Sequence, residues 1–591
     1  MREERARITY HVGMRALPVH PYRPVADRQI RTGIIAGVAG GCIASAGIFS
    51  GVGALVPMGG AAALLGAALA YLAAYGRNQC EALVARGIAI DLGERGEHDE
   101  AEALLASVRT GNTAVWRTIT VQRAHLSLER AEPAEAEARA TAALERPIRG
   151  FSRDAQEMQN AYALALRAMA RAALGKDAEA LADAAAARAS DAAMPEVIAL
   201  AAVAEQVVCS RSGDLAALAA ALESARPLFD ATAPRERALV RAFRRLVAAK
   251  QTSAYREPGR VDDVPRSRPE LDTWVARIAP GAAAFLPETS RRARTTQPDV
   301  TQPPSTPVAA GSAAIAREPA RRPRLLALRI AIAILCALIA YMTWQTASGP
   351  PSEDSYSLVT GCVGAVILVA LFYGMIASAM RKDEIGRRAV LRARRTLASG
   401  DAETAERLFA GLARSPLASV AAEAHLELAV LAQRRTDLRA ALEHCDAGLA
   451  VLAKSPSGAA HADILLPRLV SERAFALAGL GRIQQADAEL AAIASTYPSY
   501  AHLTGAIFRT RLLSALRSMS VSAATEIARE RTPQLALSLH DETMADAVLA
   551  LESNHPRELA RLHEELADPG LARWLDYMVP GAREQIAARA S

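Results

Sequence analysis

Aromatic residues occupy only 4% of the 591 positions, and β-branched runs are rare outside a few apolar segments. Pleated, half-buried sheet surfaces are built from those residue types, so their scarcity argues against a β fold. It also argues against single-stranded nucleic-acid binding, which stacks bases on aromatic rings. The six cysteines, at 42, 80, 209, 336, 362 and 445, form no C-x-x-C pair and have no histidine at zinc-site spacing. Neither a disulfide framework nor a zinc site is expected. Gly175-Lys176 lacks the rest of a phosphate-binding loop, His563-Glu564-Glu565 lacks the second histidine of a zinc protease, and no G-x-S-x-G elbow occurs. His444 and Cys445 are adjacent, and adjacent helical side chains diverge too far to act as nucleophile and base. No cofactor and no catalytic residue is expected.

Alanine, leucine, arginine and glutamate dominate, which favours helix. The net charge of +6 conceals a sharp segregation. Residues 1–31 carry seven Arg against three acids, residues 288–329 eight against three, and residues 381–395 seven Lys or Arg against two. Each basic stretch adjoins uncharged or nearly uncharged apolar sequence: 34–56, 58–75, 330–347 and 358–380. About 20 apolar residues span a bilayer as a helix. These stretches therefore predict two transmembrane hairpins. Basic flanks stay inside, so both termini and everything beyond the hairpins are expected in the cytoplasm, with loops 57–60 and 349–357 outside. The basic charge serves orientation and leaves no nucleic-acid face. The boundaries that follow are a basic tail (1–31), a hairpin (32–75), a helical domain (76–284), a Pro-rich linker (285–323), a second hairpin (324–380) and a second helical domain (381–591).

The two units are related. Leu271, Trp274, Pro280, Gly281 and Ala282 recur as Leu571, Trp574, Pro580, Gly581 and Ala582, 300 residues later, in a chain with four tryptophans. Leucine and tryptophan three apart share a helical face, and Pro-Gly stops a helix, so the segment is expected to cap each helical domain.

Within each domain a shorter pattern repeats. Residues 96–108, 400–412 and 481–493 begin with glycine, place alanine five residues on, and place a larger apolar residue four later. Weaker copies begin at Ala131, Gly175 and Thr436; the alanines are Ala101, Ala136, Ala180, Ala405, Ala441 and Ala486. The starts are spaced 35 and 44 residues in the first half and 36 and 45 in the second, a shared irregularity that supports duplication. The pattern describes a helix broken by a turn and a second helix packed closely through alanine. It resembles the tetratricopeptide repeat (TPR), whose period is about 34. Residues 468–498 match best, through Ala474, Gly481, Ala486, Leu490 and Pro498. The family's first-helix aromatics are mostly missing, and the pattern is lost beyond residues 195 and 500. The resemblance implies an all-α fold of two TPR-like solenoids, each following a transmembrane hairpin. It further implies a concave groove, lined by first helices, that binds a protein segment. Arg387, Arg394, Arg468 and His125 map to that face, and the arginines would suit an acidic peptide. The lysine clamp of chaperone-binding members has no counterpart.

The expected function is a multi-pass membrane scaffold holding two cytoplasmic arms. The alternative is a membrane-organising protein that self-associates as a homo-oligomer through small residues at helical spacing: Gly37, Gly41, Gly47 and Gly51.

Overall fold

The computed structural model describes residues 23–50, 84–108, 113–146, 153–251, 269–280, 384–454, 459–497, 502–532 and 534–590, with isolated positions at 59, 63, 66, 67, 70, 82 and 382. Every regular element among them is helical. The linker, the second hairpin, residues 1–22 and Gly51 lie outside the described residues.

Helix α1 (Arg23–Ser50) begins with Arg23, Asp27, Arg28 and Arg31 and then turns apolar. Its small residues face the other limb of the first hairpin. A Cβ added to Gly33 would lie 2.6 Å from the Ala70 nitrogen and the Gly66 oxygen, and one added to Gly59 would lie 2.5 Å from the Gly40 oxygen. Gly37 faces Ala63, whereas Gly41 has open space around it. Ile34, Ile35, Val38 and Ile43 point outward, 44–68% exposed. Among the described residues, no helix is long and apolar enough to cross a membrane.

The first arm is a series of antiparallel helices: α2 (84–94), α3 (His98–Ser107), α4 (Thr113–Glu129), α5 (Pro133–Glu145), α6 (Arg153–Leu174), α7 (Asp177–Ala189), α8 (Pro195–Ser212), α9 (Leu215–Ser224), α10 (Pro234–Gln251) and α11 (Pro269–Ile278). The second arm repeats it: α12 (384–398), α13 (Ala402–Leu412), α14 (Ala418–Arg434), α15 (Leu438–Lys454), α16 (Ala459–Gly479), α17 (Ile483–Thr496), α18 (Leu503–Arg517), α19 (Val521–Arg529) and α20 (Leu539–Ser553). Then come α21 (Pro556–Glu565), α22 (Pro569–Met578) and α23 (Ala582–Ala590). The first helices of successive pairs, α4, α6, α8 and α10, pack on one another in order, as do α14, α16 and α18.

The turn inside each pair has one construction. Its central residue is left-handed, and the next amide reaches back to a carbonyl of the preceding helix, as when Glu132 N–H donates to Ser127 at 2.8 Å and Asp437 N–H to Ala432 at 2.9 Å. The left-handed residues correspond across the arms: Gly96 with Gly400, Ala131 with Thr436, Gly175 with Gly481, and Gly213 with Met519. The fourth correspondence extends the repeat beyond residues 195 and 500, where the sequence pattern fades. The reason is chemical: Leu218 replaces alanine five residues after Gly213, and Met519 replaces the turn glycine. All six alanines of the repeat are buried, as are Leu105, Phe409 and Cys445 four residues later.

Trp274 and Trp574 are buried, yet the segment does not end the chain of helices in the second arm, since α23 follows Pro580-Gly581. Nor does it simply cover the last pair. Trp274 Nε1–H donates to the Leu128 carbonyl at 2.7 Å, so α11 folds back to the end of α4. The second copy behaves alike: α22 packs against α14.

The arms are joined by reciprocal contacts. In α2, Glu94 meets His502 at 2.6 Å and Asp91 accepts from Thr504, at the entry to α18. In the counterpart, Arg395 of α12 donates to the Ala193 carbonyl at 2.9 Å and to that of Ser190, before α8. Contacts that swap partners in this way define an approximate two-fold axis between the arms.

Candidate binding surface and its charge networks

Arg394 projects from α12 toward α14 and is clamped there. Its guanidinium lies 2.5 Å from Glu427 and 2.9 Å from Glu423. Burial alone would lower the arginine's pKa, and the two carboxylates instead hold it above its ordinary value. Glu427, opposed by burial, is held below the usual carboxylate range by Arg394, Arg468 and Arg434. Arg468 lies on the exposed side of α16 within electrostatic reach of Glu427. Arg394 and Arg468 are thus brought together around one carboxylate. Arg387 is exposed at the start of α12.

His125 is elsewhere, in the first arm. Its Nε2 lies 3.4 Å from Glu129, whose other oxygen lies 3.6 Å from His98 Nδ1. Against the cost of burial, His125 and Arg235 bring Glu129 down to about 2. The burial that disfavours a charged imidazole is outweighed by Glu129, which raises the His125 pKa. Burial raises the Glu236 carboxyl beside them and lowers the His98 imidazole, neither of whose ring nitrogens has a hydrogen-bond partner. The four residues that the sequence maps to one groove face are therefore divided, with Arg394 and Arg468 sharing the locality of Glu427 and His125 lying in the first arm. Two of them, Arg394 and His125, already bind the chain's own carboxylates.

A further charge network lies between the arms. Arg237 of α10, 1% exposed, meets Glu542 of α20 at 2.9 Å. It also donates to the carbonyls of Thr232 at 2.7 Å and Leu537 at 2.5 Å, which are the same position in each arm, 305 residues apart. Arg241 adds contacts to Glu542 at 3.3 Å and Glu565 at 2.8 Å. Arg561 joins Asp546 at 2.7 Å and Glu565 at 3.0 Å, and Arg531 also meets Asp546. Asp230 accepts from the Leu539 amide at 3.3 Å and pairs with Arg434. A signal for this network exists in the sequence. Arg237 and Arg241 are one helical turn apart, and Glu542 and Asp546 occupy the same register 305 residues later with opposite charge.

Among the described residues, no group of three or more His, Cys, Asp or Glu side chains is placed to hold a metal ion. Cys445 is sealed in the core, where burial pushes its thiol well above the usual range. No protein-family model, curated protein or solved structure matches the chain.

Proposed function

We propose that this protein is a membrane-anchored scaffold whose two tetratricopeptide-like arms act as one body on the cytoplasmic side of a bilayer. The contact between the arms carries the reading. Arms that pack on each other occupy the same side of any membrane, so the chain between residues 280 and 382 returns to the side it left. A hairpin in residues 324–380 meets that condition and a single crossing does not. The exposed isoleucines of α1, set opposite a seam of glycine, support lipid contact for the first hairpin. The serial helix pairs support a protein-binding role, and Arg468 is the arginine of the mapped set best exposed near a first-helix carboxylate. An acidic peptide remains the proposed partner class.

Reporter fusions after residues 90, 352 and 591 test the topology. The expected result places 90 and 591 inside and 352 outside; opposite sides for 90 and 591 reject the reading. Self-association through the set Gly37, Gly41, Gly47 and Gly51, with Gly41 as its open member, is the second reading. The opening around Gly41 favours it, and Gly41→Leu would then abolish detergent-resistant oligomers.

A further inference from the structure

Arg86 of α2 has no carboxylate partner among the described residues. Its Nε donates to the side-chain oxygen of Gln122 on α4 at 3.3 Å. Its two terminal nitrogens have no hydrogen-bond partner among the described residues, and neither is sealed from solvent. The second arm shows what is missing. There Arg394, from the corresponding helix, is held between Glu423 and Glu427 of α14. The residues 305 positions earlier, in α4, are Thr118 and Gln122. That offset is the one set by the left-handed turns at Ala131 and Thr436. Arg86 stands one helical turn ahead of Ile90, the equivalent of Arg394, and reaches the same place on the next first helix. Both carboxylates that neutralise an arginine in the second arm are thus replaced by uncharged side chains in the first, while an arginine is kept.

The other groups at this level are donors too. Gln122 is 4% exposed, and with its oxygen taken by Arg86 its Nε2 is left to donate, with no partner among the described residues. Tyr162 of α6 occupies the position that Arg468 holds 306 residues later, the offset of the turns at Gly175 and Gly481. Its ring centroid lies 6.2 Å from that of His125, and it is close enough to Arg86 to act on it electrostatically. Among the described residues its hydroxyl has no hydrogen-bond partner, and it is not sealed from solvent. Glu129, Glu196 and Glu236 act on Tyr162 from α4, α8 and α10, but none pairs with Arg86, and Glu129 is taken by His125 at 3.4 Å. A guanidinium withdrawn from water without a counter-charge is costly, and donors gathered without an acceptor are completed by an anion. The fork of an arginine takes a carboxylate through two parallel hydrogen bonds.

We propose that Arg86, Gln122 and Tyr162 form a binding site in the first arm for one carboxylate of a ligand, which takes the place that Glu427 fills in the second arm. Arg86 and Tyr162 are half-buried, which leaves an approach along the face of α2, α4 and α6. The site is separate from the groove around Arg468. It rests on the first arm alone, so it stands or falls independently of the membrane topology.

The test uses the full chain in detergent, titrated calorimetrically at constant ionic strength with two probes: sodium glutarate as a free acid and a hexaglutamate peptide as an acidic chain. Saturable binding is expected. Binding of glutarate marks a small organic acid as the ligand class, and binding of hexaglutamate alone marks a peptide side chain. The dissociation constant should rise by about tenfold or more in Arg86→Met and by about threefold in Tyr162→Phe. It should be unchanged in Arg226→Ala, an exposed arginine of the same arm. Gln122→Glu decides the matter, because it supplies from within the chain the carboxylate that the ligand would bring. Without probe it should melt at a higher temperature than the unaltered protein, and it should bind neither probe. That variant keeps the test open if Arg86→Met fails to fold. Absence of binding by both probes, or equal affinity in Gln122→Glu and the unaltered protein, would overturn the proposal.

Discussion

Single side chains in this protein do their work in pairs whose strength depends on pH. His125 and Glu129 show how the signs combine. Glu129 has a folded pKa of about 2 against an ordinary 4.5, so its contribution to stability is present above pH 4.5 and lost as pH falls toward 2. His125 has a raised folded pKa against an ordinary 6.5, so its contribution is full below pH 6.5 and lost as pH rises through the folded value. The pair is strongest where the windows overlap, between about 4.5 and 6.5. A double-mutant cycle on His125→Ala and Glu129→Gln, followed by urea unfolding, should show larger coupling at pH 5.5 than at pH 8.5. Equal coupling at both would remove the ion pair from the account. The lowered pKa values of His98, His425, His444 and His540 work the other way, destabilising the fold as pH drops below 6.5.

At the scale of the helix, the turns decide the register. Met519 is left-handed at φ 58° and 89% exposed, so it bears the conformational cost of a side chain there without the compensation of packing. Met519→Gly should raise stability by about 0.5–1 kcal/mol, after allowing for glycine's greater freedom when unfolded. Thermal melts read this directly, and a lower melting temperature contradicts it. Ala486 is fully buried between helices, so Ala486→Leu should cost about 1–3 kcal/mol through overpacking. These two positions also mark what was legible in the sequence. Glycine at 96, 175, 400 and 481, with the weaker starts at Ala131 and Thr436 and alanine five residues after each, announced six helix pairs. The pair turning at Met519 was hidden because an exposed methionine can hold a conformation that glycine usually signals. Arg394 was legible as a first-helix arginine. Its engagement by Glu423 and Glu427 was not, because those carboxylates are about 30 residues away and only the fold brings them close.

For the whole molecule, the joint between the arms governs cooperativity. Arg237 is enclosed with Glu542, and removing one partner of a buried pair costs about 3–5 kcal/mol. Arg237→Met should therefore lower stability by that amount and split a single unfolding transition into two, as the arms lose their coupling. Unfolding monitored separately at Trp274 and Trp574 tests it; coincident transitions in the variant would show that the arms are held together elsewhere. The charge swap Arg237→Glu/Glu542→Arg should recover most of the loss, because the approximate axis relates the two positions and an arginine at 542 is set to donate to the same two carbonyls, Thr232 and Leu537.

The place of Arg237 has a consequence for the relation between the arms. Arg237 bonds the same carbonyl of both arms, so it stands near their approximate axis. Its counterpart, residue 542, carries the opposite charge and pairs with it. Neither half is now interchangeable with its sibling: a chain carrying two copies of the first would set two guanidiniums against each other, and two copies of the second would set two carboxylates together with no donor for either carbonyl. The inequality of the arms is a requirement of the joint that unites them.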